Sequence, residues 1–197
     1  MKDGAQVPPG GTREVLEVAL SEEHEALLGR FRAGKKVGLA RAISLVENGR
    51  PGFQAFLHAV LETPRFAERV GFTGPPGAGK SSLVAGLARK YRQEGNEVAI
   101  VAVDPPSPYS GGALLGDRIR MNDLTMDPGI FIRSMATRGS LGGLAATTKE
   151  VLDLMDAFGF QRVLVETVGV GQTELEITGA ADTVVVVLVP ESGDAIQ

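Results

Sequence analysis

The sequence contains no cysteine, and only two of its 197 residues are histidine. Without thiols the chain can form no disulfide, no thiolate metal site and no cysteine nucleophile. His24 and His58 both lie in segments whose apolar spacing predicts helices, where a packed or solvent-facing imidazole is more common than a catalytic one. We therefore expect neither histidine to act in catalysis or metal binding.

The chain also lacks an excess of positive charge and a long apolar run. Lys and Arg together number 20 against 24 Asp and Glu, and no basic run interleaved with aromatics is present, which argues against a nucleic-acid surface. The longest apolar run, residues 184–189, is too short to cross a membrane, and residues 1–4 contain no apolar region of a secretory signal. We therefore expect a cytoplasmic protein with no nucleic-acid or membrane partner.

Glycine, by contrast, is abundant, with 26 residues, and one glycine-rich stretch has a specific pattern. It matches the G-x-x-x-x-G-K-[ST] phosphate-binding loop and reads Gly74-Pro75-Pro76-Gly77-Ala78-Gly79-Lys80-Ser81. Gly77 and Gly79 allow backbone conformations in which successive N–H groups point at phosphate oxygens. Lys80 adds a positive charge against the β- and γ-phosphates, and the Ser81 hydroxyl is suited to Mg²⁺.

The sequence on either side of this loop favours a real nucleotide site over a chance match. Residues 69–73 read as a short apolar strand, and residues 83–91 have apolar positions at helical spacing. A helix that begins at the loop directs its positive dipole end at the same anion. Strand, loop and helix together predict that the chain binds a nucleoside triphosphate.

The chain divides into three predicted parts. Residues 1–11, polar and rich in Pro and Gly, predict a disordered leader, residues 12–66 a helical segment, and residues 67–197 a nucleotide-binding domain. Within the helical segment, Thr12 is a candidate cap for a helix that runs on to Leu28, a second helix spans about 35–47, and a third begins near Pro51. These helices could pack on the nucleotide domain or face a partner, and we favour the packing.

The nucleotide domain alternates apolar strands with helices, which predicts an α/β fold. Strands are expected at residues 97–103, 130–133, 162–166 and 183–189. Near-continuous apolar strands alternating with helices indicate a mostly parallel sheet covered by helices on both faces, as in P-loop NTPases. In such sheets ligands bind at the carboxyl ends of the strands, where Thr73, Asp104 and Glu166 all lie.

Three carboxylates are candidates for holding Mg²⁺ near the loop hydroxyl: Asp104, Asp117 and Glu166. Residues 166–169 have the spacing of the D-x-x-G switch of GTPases, with Glu in place of Asp. Gly169 would offer a backbone N–H to the γ-phosphate, and Gln172 could position a water molecule. The alternative interpretation is that these acids cap loops or carry solvated charges.

Several motifs in combination resemble the MeaB/ArgK family of P-loop GTPases, which act as chaperones for adenosylcobalamin-dependent methylmalonyl-CoA mutase. The similarity runs over about residues 39–197. It rests on the phosphate loop and on residues 103–108, 111–121, 133–139 and 166–172.

The resemblance implies a set of site residues and partners. GTP is expected at Gly74, Pro75, Pro76, Gly77, Ala78, Gly79, Lys80, Ser81, Ser82 and Gly169, and Mg²⁺ at Ser81, Asp104, Asp117 and Glu166. Lys80, Glu166 and Gln172 are the expected catalytic residues, and segments 104–120 and 166–172 the expected switches. The family role also implies GTP-gated adenosylcobalamin delivery to, and protection of, methylmalonyl-CoA mutase or a related acyl-CoA mutase, by a homodimer in the full-length family.

One departure from the family pattern concerns the base. The chain contains no Asn-Lys-x-Asp motif, the usual source of guanine selectivity, and its last residues, 193–197, suggest a C-terminally truncated domain. Two other functions therefore stay open. A P-loop kinase could use Arg118, Arg120, Arg133 and Arg138 in a lid, although we favour switch or partner roles for them, and a binding module could hold nucleotide without turnover.

Overall fold

The computed structural model describes residues 20–62, 66–104, 122–136, 146–167 and 177–190. The helices are α1 (Glu22–Arg32), α2 (Lys36–Glu47), α3 (Phe53–Leu61), α4 (Lys80–Gln93), α5 (Asn122–Thr125) and α6 (Ala146–Phe158). The strands are β1 (Glu68–Thr73), β2 (Val98–Asp104), β3 (Ile130–Ala136), β4 (Arg162–Thr167) and β5 (Thr183–Val186). The predicted leader, residues 1–11, lies outside the described residues.

The five strands form one parallel sheet in the order β3-β2-β4-β1-β5. This confirms the predicted α/β fold with a parallel sheet. Strand β4 lies beside β1, with Phe72 opposite Glu166 in the register. The strand that leads into the phosphate loop and the strand that carries Glu166 are therefore direct neighbours.

Helices cover the sheet on both faces, because the central strands are apolar on both. On one face α4 packs through Val84, Ala85 and Ala88 against residues such as Phe72 and Ile100. On the opposite face α6 and the N-terminal helices share a single core with β2 and β4. Leu39, Ile43 and Phe56 of the N-terminal helices are fully buried there, together with Leu152 and Met155 of α6 and Val101 and Val163 of the sheet.

Helix α1 begins later than the sequence analysis predicts. Ser21 has extended backbone angles, and its hydroxyl accepts a hydrogen bond from the His24 N–H at 3.3 Å, so it caps a helix that starts at Glu22. The prediction of one continuous helix from Thr12 to Leu28 is therefore wrong at residues 20 and 21. Acidic residues in the first turn favour this start through the helix dipole.

Helix α2 is tied to the sheet by a polar contact as well as by its apolar face. The Lys36 ammonium donates to the carbonyl oxygens of Pro128 and Ile130, the second at 2.7 Å. Burial is the main cause that lowers the pKa of Lys36. The N-terminal helices and the sheet share one core. The predicted division of the chain into a helical segment and a nucleotide-binding domain at residue 66 stays a prediction.

In the described ranges no helix is long and apolar enough to cross a membrane.

Candidate nucleotide-binding site

The phosphate loop lies at the carboxyl end of β1 and leads directly into α4. Gly77 and Gly79 have φ of +79° and +93°, left-handed conformations that favour glycine. A Cβ built on either would meet nothing within 4 Å, and both residues are exposed. The loop therefore leaves open space beside both glycines, where an anion could approach the start of α4.

Gly74 has a different structural role that sequence reasoning missed. Its φ is +130°, and a Cβ there would overlap the carbonyl group of Val187. The Val187 N–H donates to the Thr73 carbonyl at 2.8 Å, so the chain that leaves β5 packs directly on the start of the loop. No local signal could have shown this, because Val187 is remote from Gly74 in the sequence.

Lys80 is held inside the loop rather than extended into solvent. Its ammonium donates to the carbonyl oxygens of Gly74 at 2.7 Å and Pro75 at 3.0 Å, and the residue is only 6% exposed. These contacts fold the loop around the ammonium group. A positive charge is thus fixed at the N-terminal end of α4, where the helix dipole also favours an anion.

The first turn of α4 also meets β4 at this edge. The Ser81 hydroxyl donates to the Glu166 Oε1 at 2.7 Å, and Glu166 is 6% exposed. This contact follows from the register, since β4 lies beside the strand that precedes the loop. A hydroxyl and a carboxylate oxygen are hard ligands that suit Mg²⁺, which is commonly held by one or two carboxylates together with substrate phosphates.

The other predicted metal and switch residues are placed less completely. Asp104 is the last residue of β2. Because the sheet is parallel, its backbone lies at the same carboxyl end of the sheet as the phosphate loop, with β4 between β2 and β1. Asp117, Gly169 and Gln172 lie outside the described residues. Within the described ranges no group of three or more His, Cys, Asp or Glu could hold a metal ion. The hydroxyl and carboxylate that the structure brings together at the loop are those of Ser81 and Glu166.

Arg133, one of the candidate lid arginines, contacts the N-terminal helices. Its guanidinium forms an ion pair with Glu47 and donates to the Ser44 hydroxyl at 3.4 Å. Both partners belong to α2, so in this structure Arg133 joins β3 to that helix. The other three, Arg118, Arg120 and Arg138, lie outside the described residues.

Comparison with known proteins decides the family. The family model for the methylmalonyl-CoA mutase-associated GTPase MeaB matches residues 39–197. The chain belongs to the MeaB family of P-loop GTPases. The predicted resemblance is thereby confirmed. The assignment of nucleotide contacts to residues 74–81 stays a prediction.

Relatives at substantial identity support this membership. A putative GTPase of Pyrococcus abyssi is 50% identical over 173 residues, which are 88% of this chain and 53% of that protein. The GTPase ArgK of Escherichia coli is 41% identical over 187 residues, 93% of this chain and 55% of that protein. A solved structure of a LAO/AO transport system kinase matches with a TM-score of 0.69 and 31% identity, over 89% of this chain and 53% of that one. The chain thus spans about half the length of these relatives.

Proposed function

We propose that this MeaB-family chain binds GTP with Mg²⁺ at residues 74–82 and hydrolyses the β–γ phosphoanhydride bond. The observation that supports this most is the 2.7 Å hydrogen bond between the Ser81 hydroxyl and the Glu166 carboxylate, beside a loop with two open, left-handed glycines. The same pair joins the helix that follows the phosphate loop to the strand that leads into the predicted switch.

Each residue has a distinct part in the proposed reaction. Lys80 stabilises negative charge on the β- and γ-phosphates, and the start of α4 contributes its dipole. Ser81 and Glu166 would hold Mg²⁺, which when bound neutralises charge that develops on the phosphate oxygens. Asp104 and Asp117 are proposed as further metal contacts, Gly169 as a γ-phosphate donor and Gln172 as the residue that orients water.

We also propose that nucleotide turnover gates adenosylcobalamin delivery to methylmalonyl-CoA mutase or a related acyl-CoA mutase and protects that enzyme. The family description names an association with this mutase, and a mouse relative is described as a methylmalonic aciduria type A homologue of mitochondria, 38% identical over 196 residues. Homodimerisation of the full-length protein belongs to the same proposal. The cytoplasmic location of this chain stays a prediction.

One experiment separates hydrolysis from the alternatives. The chain is incubated with Mg²⁺ and γ-labelled GTP or ATP, with and without candidate small-molecule or protein acceptors. Release of labelled inorganic phosphate that Lys80→Ala abolishes is the expected result. Transfer of label to an acceptor would show a kinase, as the description of the LAO/AO protein suggests, and stable binding without release would show a binding module.

The mutase role needs its own measurement. The cobalamin content and activity of apo-mutase are followed after addition of adenosylcobalamin and this chain, with GTP or a non-hydrolysable GTP analogue. We expect loading to differ between the two nucleotides, because gating requires the mutase complex to sense hydrolysis. Identical loading with GTP, with the analogue and without this chain would contradict the proposal.

A further inference from the structure

Three arginines among residues 22–52 differ from every other arginine in the described ranges. All the others form ion pairs with carboxylates: Arg32 with Glu62, Arg69 with Asp153 and Asp156, Arg89 with Asp123, Arg92 with Asp127, Arg133 with Glu47, and Arg162 with Glu68. Within the described part of the chain, Arg30, Arg41 and Arg50 form no ion pair. Their charges are therefore not neutralised by a neighbouring carboxylate there.

These three arginines line the same cavity. It has a volume of about 740 Å³ and lies between α1, α2 and the turn that precedes α3. Arg30 comes from α1, Arg41 from α2 and Arg50 from the turn. Glu23 is the one carboxylate among the described lining residues, so arginine outnumbers acid three to one around the cavity.

The rest of the lining supplies hydrogen-bonding groups and an apolar wall. His24 and Ser44 contribute polar side chains, and Leu27 and Leu45 are buried leucines that face the space. A volume of about 300–1,000 Å³ with an apolar wall and a few convergent polar groups is typical of small-molecule sites. No lining residue belongs to the phosphate loop, so this site is separate from the proposed GTPase site.

We propose that this cavity binds a phosphorylated small molecule, with the phosphate on the guanidinium groups and the organic part against the leucines. Guanidinium forks match phosphate oxygens in geometry and stay charged at all physiological pH values. Three like charges around one cavity repel one another, and a phosphate dianion relieves that repulsion. The cavity volume of about 740 Å³ is within the range of small-molecule sites. An acidic peptide would instead need an extended groove.

The test uses inorganic pyrophosphate as the probe and hydrogen–deuterium exchange as a local readout. Peptides from residues 22–52 report on the cavity, and peptides from residues 74–93 report on the phosphate loop, in the same sample. We expect pyrophosphate to slow exchange in both regions. Because the two regions are read separately, failure of the GTPase proposal would show only in the second.

Variants test whether the arginines cause the slower exchange of residues 22–52. Arg41→Gln should weaken the probe's affinity at residues 22–52 by about tenfold, since the change removes charge-assisted hydrogen bonds to the phosphate. The affinity of Arg41→Lys should lie between those of the wild type and of Arg41→Gln. Lysine keeps the positive charge but loses the planar guanidinium that can form two parallel hydrogen bonds to a phosphate. Arg32→Gln, on the same helix as Arg30 but paired with Glu62 and outside the cavity lining, is the matched control and should leave the affinity unchanged.

Three results would overturn the proposal. The first is that residues 22–52 are not protected while residues 74–93 are. The second is protection that survives the combined change Arg30→Gln, Arg41→Gln and Arg50→Gln, in a protein whose melting temperature shows that it is folded. The third is protection by a glutamate-rich peptide but not by pyrophosphate, which would assign the cavity to an acidic protein segment.

Discussion

Ser81 and Glu166 are joined by a hydrogen bond of 2.7 Å although they belong to different elements, the first turn of α4 and the strand β4. Together they offer Mg²⁺ a hydroxyl and a carboxylate from a rigid part of the fold. A site built on helix and strand positions holds its geometry better than one built on loops. The pair is thus the most sharply defined part of the proposed GTPase centre.

We expect Glu166→Ala to lower GTP turnover on the order of a hundredfold while nucleotide affinity changes much less. The reason is that metal-mediated charge stabilisation grows as the leaving oxygens gain charge. Single-turnover hydrolysis and equilibrium titration at saturating Mg²⁺ measure the two quantities. Glu94→Ala, an exposed change at the end of α4, is the control, and wild-type turnover in Glu166→Ala would show that this carboxylate is structural.

Lys80→Ala should weaken nucleoside-triphosphate binding by about a hundredfold, equivalent to about 3 kcal/mol, the upper range for a charge-assisted contact. The change removes the positive charge and its contacts with the loop carbonyls of Gly74 and Pro75. Isothermal titration calorimetry checks the affinity, and circular dichroism checks that the fold is kept. Lys90→Ala, near the other end of α4, should bind normally. An unchanged affinity in Lys80→Ala would remove the phosphate site from this loop.

Gly74→Ala is expected to lower the free energy of unfolding by about 1–3 kcal/mol, because the new Cβ overlaps the Val187 carbonyl at a φ of +130°. Nucleotide affinity should fall with it, since the loop must shift. Gly86→Ala in α4 is the matched control of opposite sign: nothing lies within 4 Å of its Cβ, and Ala stabilises a helix interior by about 0.5–1 kcal/mol. Urea denaturation of both variants measures the free energy of unfolding. A Gly74→Ala protein as stable as the wild type would show that the close packing of Gly74 against Val187 is unimportant.

Asp127 should make the stability of the protein sensitive to acid. Its hydrogen bond from Arg92, followed by one from the Gly129 N–H, lowers the pKa of this carboxyl. A group with a lowered folded pKa stabilises the protein above its unfolded pKa, and that stabilisation is lost as the pH falls through the folded value. The loss therefore begins below about pH 4, near the usual pKa of Asp.

We accordingly expect Asp127→Asn to lower the urea concentration at which half of the protein is unfolded at neutral pH. The difference between this midpoint at neutral pH and at acid pH should be smaller in the variant than in the wild type. Asp123→Asn, an exposed neighbour whose contact with Arg89 is 3.6 Å, should change neither. A wild-type pH dependence in Asp127→Asn would contradict the assignment of this effect to the Arg92 pair.

The 197-residue chain should discriminate poorly between GTP and ATP. Phosphate contacts are identical for the two nucleotides, and the sequence contains no Asn-Lys-x-Asp motif to pair with the guanine edge. Polar base sites can reject the wrong partner by about 10⁴-fold. Competition binding measures the ratio, with a longer MeaB-family relative that contains the motif as the control. Strong GTP preference in this chain would mean that other residues recognise the base.

The sequence predicts the local parts of the site well and the long-range parts poorly. Strand β1, the loop and α4 are contiguous, so glycine spacing and apolar periodicity are enough to place them. The contacts of Gly74 with Val187 and of Arg133 with Glu47 depend on how remote segments pack, and no local pattern encodes them. The start of α1 is a different case, because Ser21 before an acidic first turn is a recognisable cap signal.

The contacts of Lys36 with Pro128 and Ile130 have a consequence for how the molecule responds to heat. Helix α2 contacts the sheet at its edge strand β3. The phosphate loop follows β1, which lies next to the opposite edge strand, β5. If α2 detached, two main-chain carbonyls and an apolar sheet face would be exposed to water together. The N-terminal helices and the strands of the sheet should therefore melt in a single calorimetric transition. The stability of the sheet would then depend on the N-terminal helices, so removing them should unfold the whole protein.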